Sequence, residues 1–92
     1  MQISFNPDKR ARTLKERGLD FADADQVFAG KTITLLDDRK DYGEVRQQTI
    51  GYLHDRLVMV VWTDRDVARH IISMRKCNDR ENSRFGLHLG GP

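Results

Sequence analysis

The chain has 92 residues, of which 38% are hydrophobic and 33% are charged, with 16 lysines and arginines against 14 aspartates and glutamates. We expect one domain over residues 1–92, because a chain of this length buries a single small core and leaves no room for a deep cofactor cleft. Nearly balanced charge at this apolar content is typical of a globular protein rather than a disordered one. The longest apolar run, Leu57 to Trp62, is too short for a membrane span.

The cysteine and histidine content argues against disulfides and metals. Cys77 is the only cysteine, which excludes an intramolecular disulfide and a multi-cysteine zinc site. His54, His70 and His88 do not share a metal-ligand spacing on one predicted element, so we expect no metal and no cofactor. The first five residues lack the basic segment and apolar stretch of a secretory signal, and we therefore expect a cytoplasmic protein.

The net positive charge of the chain lies in the C-terminal half. Residues 1–45 carry eight basic and nine acidic side chains, whereas residues 46–92 carry eight basic and five acidic ones. Between Arg65 and Arg84, six basic residues face three acidic ones. Such a surface suits phosphates or an acidic partner, although an ordinary solvated face would give the same count.

The N-terminal third predicts a strand followed by two helices. Residues 2–5 alternate between apolar and polar side chains and predict a strand. Asn6 as cap and Pro7 as first helical residue predict a surface helix over 7–17, which Gly18 ends in a left-handed conformation. Asp20 then begins a second helix that ends at Gly30, with an apolar face at helical spacing.

The remaining two thirds predict a sheet and a last helix. Strands are predicted over 31–36, 44–53, 57–63 and 68–76. Short turns join the last three, which predicts an antiparallel meander with the N-terminal helices against it, an α+β fold. Asn78 and Glu81 have the capping-box spacing and predict a helix over 79–85, followed by a frayed tail.

The last predicted strand carries the most chemistry. Strict alternation places its polar residues in two groups on opposite faces: Arg69, Ser73 and Arg75 on one, His70 and Lys76 on the other. Two arginines beside a serine suit a phosphate, and the alternative is an edge strand whose arginines pair with acidic residues. His70 titrates near neutral pH and is a candidate general base or acid, although a packed structural histidine is the commoner case.

Two further sites carry carboxylates. Glu44 and Arg46 are two residues apart and should share a face where the third strand begins, either as a salt bridge or as an acid-base group beside a phosphate clamp. Glu81 lies in the capping box, and starting the last helix is the role that this position favours over catalysis.

Several segments resemble the BrnT toxins of bacterial toxin-antitoxin modules, in order from residue 5 to residue 85. The matching segments are Asn6–Lys9, Gly18–Phe21 with Ala24, Val27 and Phe28, Arg39–Arg46, and Ile71–Lys76 with Asn78 and Glu81. The parts containing Gly43–Arg46 and Ile71–Lys76 are the most specific.

The resemblance implies a small ribonuclease that inhibits translation and growth, with a fold similar to RelE toxins. It also implies a ribbon-helix-helix antitoxin similar to BrnA, operator DNA bound only through that antitoxin, and a toxin-antitoxin heterotetramer. The matching site positions in this chain are Glu44, Arg46, Arg65, Ser73, Arg75 and Glu81.

The chain also departs from the BrnT pattern. Thr13 and Glu16–Gly18 stand where the family commonly has Asn and Lys-His-Gly. His70 stands where arginine is frequent, so that a catalytic histidine there would not be a family trait, and Phe85 replaces a usual tyrosine.

The resulting hypothesis is a metal-independent endoribonuclease that uses the 2′-hydroxyl of RNA as nucleophile. Arg46, Arg65 and Arg75 would stabilise the transition-state charge. Glu44 or His70 would act as base, assisted by the other or by Glu81. The residues expected to bind RNA outside this group are Arg69, Lys76, Arg80 and Arg84.

The alternative is a non-catalytic nucleic-acid-binding module or a co-repressor subunit. Such modules stack bases on exposed aromatic side chains, and on the strands predicted after residue 30 only Tyr52 and Trp62 are aromatic. The scarcity of these platforms favours the enzyme.

Overall fold

A computed structural model describes residues 2–90 of the chain. Its elements are β1 (Gln2–Phe5), α1 (Pro7–Arg17), a 3₁₀ helix (Phe21–Asp23), α2 (Ala24–Ala29), β2 (Thr32–Asp37), β3 (Arg46–Leu53), β4 (Arg56–Arg65), β5 (Ala68–Lys76) and α3 (Asp79–Phe85). The predicted α+β class is confirmed. None of the helices in the described range is long and apolar enough to cross a membrane.

The five strands form one sheet in the order β1-β5-β4-β3-β2. Strands β2 to β5 pair antiparallel, as the meander predicts, but β1 pairs parallel with β5. The expectation of an antiparallel sheet is therefore wrong at this edge. The reason is the connection through α1 and α2, which carries the chain to the opposite edge of the sheet, where β2 runs antiparallel to β1. The chain then reverses direction three times, between β2 and β3, between β3 and β4, and between β4 and β5. Strand β5 therefore runs in the same direction as β1.

The N-terminal helices cover one side of the sheet, which we call the helical face. Its buried core joins both layers: Leu19, Phe21, Ala24, Val27, Leu53, Val58, Val60, Trp62, Ile71 and Met74. Gly51 on β3 allows α2 to approach closely, because a Cβ there would lie 3.0 Å from Val27 Cγ1 and 3.2 Å from the Lys31 carbonyl oxygen.

Helix α1 forms as the sequence predicts, whereas the second helix does not. The Asn6 side chain accepts hydrogen bonds from the Asp8 and Lys9 amides, and Gly18 closes α1 with φ of 69°. The second helix begins as a 3₁₀ turn, because Asp20 accepts two hydrogen bonds at its start. The Asp20 carboxylate accepts from the Ala22 amide, and the Asp20 backbone carbonyl oxygen accepts from the Asp23 amide. Regular α-helical bonding begins only at Ala24.

We call the opposite side of the sheet the open face. Helix α3 and the turns after it cover its end near the β3–β4 hairpin, with a second core of Ile50, Leu57, Met59, Cys77, Phe85 and Leu89. The expectation of a frayed tail is wrong for residues 86–90, because Leu89 is buried in this core. Gly91 and Pro92, the remainder of that predicted tail, lie outside the described residues.

A β-bulge in β5 decides which side chains share the open face. Ser73 pairs with Val61 and Ile71 pairs with Trp62, which leaves Ile72 as an extra residue. The extra residue reverses the alternation on one side of the bulge. His70 therefore shares the open face with Ser73 and Arg75, and Arg69 turns to the helical face. The predicted grouping of Arg69 with Ser73 and Arg75 is wrong for this reason.

Candidate active site

Most of the predicted site residues lie on the open face of the sheet. By their register on β3, β4 and β5, the strand residues on this side are Arg46, Arg65, His70, Ser73 and Arg75. Glu44 reaches the same face from the segment before β3, which begins at Arg46 rather than at residue 44 as predicted. Glu81 reaches it from α3.

Glu44 links two arginines at one end of this face. Its Oε2 accepts from Arg46 Nε at 3.1 Å, and its Oε1 accepts from an Arg65 Nη at 3.3 Å. The hydrogen bond from Arg46 and the charge of Arg65 hold the pKa of Glu44 below its usual value. Glu44 is therefore an ionised group at neutral pH that orients two guanidinium groups.

Asp37 and Arg39 form a second ion pair that sequence reasoning missed. The buried Asp37 carboxylate accepts from Arg39 Nε at 2.7 Å and from its Nη2 at 2.8 Å, and this pairing lowers the pKa of Asp37. Asp37 is the partner of Arg46 across β2 and β3, so the pair adjoins the Glu44 cluster.

Tyr42 is a further residue that the sequence analysis did not single out. The Arg46 guanidinium lies 3.9 Å from the centre of the Tyr42 ring, and the Lys40 ammonium lies 5.2 Å from it. Cation-π attraction of this kind fixes a guanidinium against the ring face. Tyr42 lies within the Arg39–Arg46 segment that resembles the BrnT pattern, and that resemblance was the sequence signal that could have identified it.

His70 is held by the edge strand β1. Its Nδ1 lies 2.9 Å from Ser4 Oγ, the side chain paired with it across β1 and β5. Burial first, and then the positive charge of Arg65, lowers the pKa of His70 below its ordinary value of 6.5. The imidazole is therefore mainly neutral at pH 7 and able to accept a proton.

Arg75 and Glu81 form a bidentate ion pair on the open face. Arg75 Nη1 and Nη2 donate to the two Glu81 oxygens at 2.8 and 2.7 Å, and Nη2 also lies 3.3 Å from Met59 Sδ. Glu81 Oε1 accepts from the Asn78 amide at 2.9 Å, so the predicted capping box is confirmed. The Arg75 hydrogen bonds lower the pKa of Glu81 to about 2. Glu81 thus starts α3 and orients Arg75, and has no proton to give near neutral pH.

The four residues expected to bind RNA do not lie together. Lys76 is exposed at the end of β5, and Arg80 and Arg84 are exposed on one side of α3, four residues apart. Arg69 is half-buried on the helical face, away from His70 and Arg75.

The carboxylates of the open face are committed to arginines. Asp37 pairs with Arg39, Glu44 with Arg46 and Arg65, and Glu81 with Arg75. Residues 2–90 contain no cluster of three or more histidine, cysteine, aspartate or glutamate side chains placed to hold a metal ion. Cys77 is buried beside this face, and burial raises the pKa of its thiol to about 11, which disfavours a nucleophilic thiolate.

The arrangement can bind a phosphodiester and remove a proton beside it. Guanidinium groups held by carboxylates present fixed donors to phosphate oxygens, and a neutral imidazole lies on the same surface.

Comparison with known proteins identifies the family. The family model described as "Ribonuclease toxin, BrnT, of type II toxin-antitoxin system" matches residues 5–81. No curated protein gives a match. The matched range covers most of the chain and includes every site residue named above except Ser4 and Arg84, and it confirms the resemblance found in the sequence. The chain belongs to the BrnT family of ribonuclease toxins of type II toxin-antitoxin systems.

Proposed function

We propose that this protein is a metal-independent endoribonuclease that cleaves RNA by attack of the substrate's own 2′-hydroxyl. The family description supplies the ribonuclease activity. The observation that supports the mechanism is the β5 bulge, which places a neutral His70 on the same face as Arg65 and Arg75.

In the proposed reaction His70 removes the proton from the 2′-hydroxyl. The 2′-oxygen attacks the adjacent phosphorus, and the bond to the 5′-oxygen of the next nucleotide breaks. The products are a 2′,3′-cyclic phosphate and a 5′-hydroxyl. Solvent protonates the leaving 5′-oxygen, because the pKa values of Glu44 and Glu81 are lowered and both carboxylates are ionised.

The arginines stabilise the charge that develops on the phosphorane. Preorganised donors are usually the largest contribution to such catalysis, and removing one costs about 10²- to 10³-fold in rate. Here Glu44 orients Arg46 and Arg65, and Glu81 orients Arg75. Guanidinium charge performs the electrostatic role that a divalent cation performs in metal-dependent nucleases, which is the basis for proposing metal independence.

The assignment of roles narrows the choice that the sequence left open. His70 is the general base, because it is neutral near pH 7 and lies close enough to Arg65 for the charge of that arginine to lower its pKa. Glu44 and Glu81 are positioning residues. Ser4 fixes the His70 ring through Nδ1, and Ser73, on β5 between His70 and Arg75, is proposed to donate to a phosphate oxygen. Lys76, Arg80 and Arg84 are proposed to contact the RNA backbone beyond the cleavage site.

The proposal extends to inhibition. A ribbon-helix-helix antitoxin similar to BrnA would cover the surface that bears Arg65, Arg75 and Arg80 with an acidic or amphipathic segment, and would bind operator DNA with its other end, in a heterotetramer. Opposite charge would give both steering and affinity. A competition assay tests this: a short RNA and the antitoxin should exclude each other, and simultaneous binding without loss of affinity would contradict it.

The arrangement similar to RelE, a single domain over 1–92 and a cytoplasmic location belong to the same proposal.

RNA cleavage by purified protein in the presence of a chelator tests the proposed chemistry. We expect wild-type activity to persist, and both His70→Ala and Arg65→Ala to lose at least about 10²-fold in rate. Arg12→Ala is the matched control, since Arg12 is exposed on α1. Activity that disappears with chelator and returns with magnesium would refute metal independence. RNA binding without cleavage would favour the alternative of a binding module.

A further inference from the structure

Arg69 lies in a site of its own on the helical face. Its guanidinium carbon lies 4.3 Å from the centre of the Phe28 ring and 5.0 Å from that of Trp62. These two rings meet edge to face at 5.6 Å. The rings of α2 and β4 therefore hold the Arg69 side chain in one orientation.

One hydrogen-bond donor of Arg69 has no partner in the part of the chain that the structure describes. Its Nε is buried and has no hydrogen-bond acceptor among residues 2–90. Arg69 also takes part in none of the ion pairs found in that range. A buried donor without an acceptor is destabilising, so an acceptor supplied from outside the chain would bind with an advantage.

A cavity adjoins this donor. It has a volume of about 340 Å³ and is lined by Asp25, Phe28, Ala29 and Arg69. This volume is at the lower end of the range of about 300–1,000 Å³ that is typical of small-molecule clefts, and it suits a side chain. The lining offers one cation, one anion and apolar surface between them.

We propose that this Arg69 cavity binds a carboxylate side chain of a polypeptide partner. A carboxylate is planar and can accept two parallel hydrogen bonds from Nε and an Nη of arginine. A lysine or arginine next to that carboxylate in the partner would meet Asp25. The ligand class is therefore an acidic residue flanked by a basic one in a peptide segment.

The charges around the cavity disfavour RNA as its ligand. Asp25 lines the cavity, and Asp64 is the cross-strand partner of Arg69 on β4. Two carboxylates against one guanidinium repel a polyphosphate, whereas a segment of mixed charge satisfies both signs. Because Arg69 is on the opposite side of the sheet from His70, the cavity and the proposed cleavage site can be occupied together.

In a type II system the protein antitoxin is a natural source of such a segment, and this identification rests on the proposed function. The cavity itself does not depend on it. A peptide-binding experiment therefore tests the cavity even if the cleavage mechanism fails, and cleavage assays test the mechanism even if no peptide binds.

The experiment is NMR titration of the full chain with short peptides. Acetyl-Ala-Glu-Lys-Ala-amide should move the Arg69 Nε–H and Trp62 indole resonances, with weak binding in about the millimolar range. The matched peptide with Gln in place of Glu should bind about tenfold more weakly, because charge-assisted hydrogen bonds are roughly twice as strong as neutral ones. The His70 resonances should not respond.

Two variants sharpen the test. Arg69→Lys keeps the charge but removes the paired Nε–H and Nη–H donors, and should reduce the preference for Glu over Gln. Asp25→Asn changes an exposed α2 residue and should remove the contribution of the peptide lysine, measured against acetyl-Ala-Glu-Ala-Ala-amide. Equal binding of the Glu and Gln peptides to the wild-type protein, or no shift of Arg69, would overturn the proposal. So would a short RNA that shifts Arg69 and displaces the peptide.

Discussion

Replacing Glu81 by Gln separates its two structural roles. The Gln side-chain oxygen can still accept from the Asn78 amide, so the capping box is retained. The two charge-assisted bonds from Arg75, at 2.8 and 2.7 Å, lose their anionic partner. Glu81→Gln therefore removes the ion pair and leaves the helix cap.

The expected loss in the free energy of unfolding depends on how exposed the Arg75–Glu81 pair is to solvent. The Glu81 side chain is 17% exposed, whereas that of Arg75 is 40% exposed. Solvent at Arg75 screens the interaction, so we expect a loss of about 1–2 kcal/mol in the free energy of unfolding. For a domain of this size this corresponds to a fall in Tm of roughly 5–10 °C. Glu81→Ala also loses the cap and should cost about 1 kcal/mol more.

The pH dependence of the stability difference between wild type and Glu81→Gln tests whether the ion pair is its cause. The pKa of Glu81 is about 2 in the folded protein and its ordinary value is 4.5. The ion pair therefore contributes fully above pH 4.5, and its contribution is lost as the pH falls towards 2. Urea unfolding of wild type and Glu81→Gln at pH 7, 4 and 2.5 should show a difference that shrinks with acid. A difference near zero at pH 7, or one that does not change with pH, would refute the reasoning.

Three further predictions concern other parts of the fold. The rate of RNA cleavage should fall in acid with a midpoint below 6.5, because the pKa of His70 is lowered, and a midpoint above 6.5 would contradict its role as base. His54→Asn with Asp55→Gly should stabilise the protein by about 1 kcal/mol in urea unfolding, since both residues have positive φ, 50° and 64°, in the β3–β4 turn. Trp62→Phe should cost about 2 kcal/mol by the same assay, since Trp62 Nε1 donates to buried Thr49 Oγ1 at 2.8 Å, and an unchanged midpoint would show that this bond contributes nothing.

Local sequence signals predicted the elements that depend on neighbouring residues. The caps at Asn6, Gly18 and Asn78 each act through bonds to residues within a few positions, and all three are present in the structure. The strands of the meander also follow from local apolar patterns. The buried Leu89 was missed because two leucines in a short glycine-rich segment, Leu87 and Leu89, give no periodic signal, and the burial of Leu89 depends on the distant core around Leu57.

The composition of the site depended on tertiary features that the sequence does not encode locally. No residue near Ile72 marks the bulge, yet the bulge exchanges His70 and Arg69 between faces. The parallel pairing of β1 was equally hidden, and it supplies Ser4 to His70. The arginines of the open face were identified from the sequence, but their carboxylate partners depend on register and loop conformation.

The central claim is that the 2′-hydroxyl of the substrate is the nucleophile and that no metal takes part. It is tested most directly by single-turnover cleavage, in chelator, of a short RNA and of the same RNA with one 2′-deoxynucleotide at the cleavage position. We expect the all-RNA strand to yield a 2′,3′-cyclic phosphate and a 5′-hydroxyl, and the substituted strand to stay intact at that position. Equal cleavage of both strands, or a product with a 5′-phosphate, would contradict it.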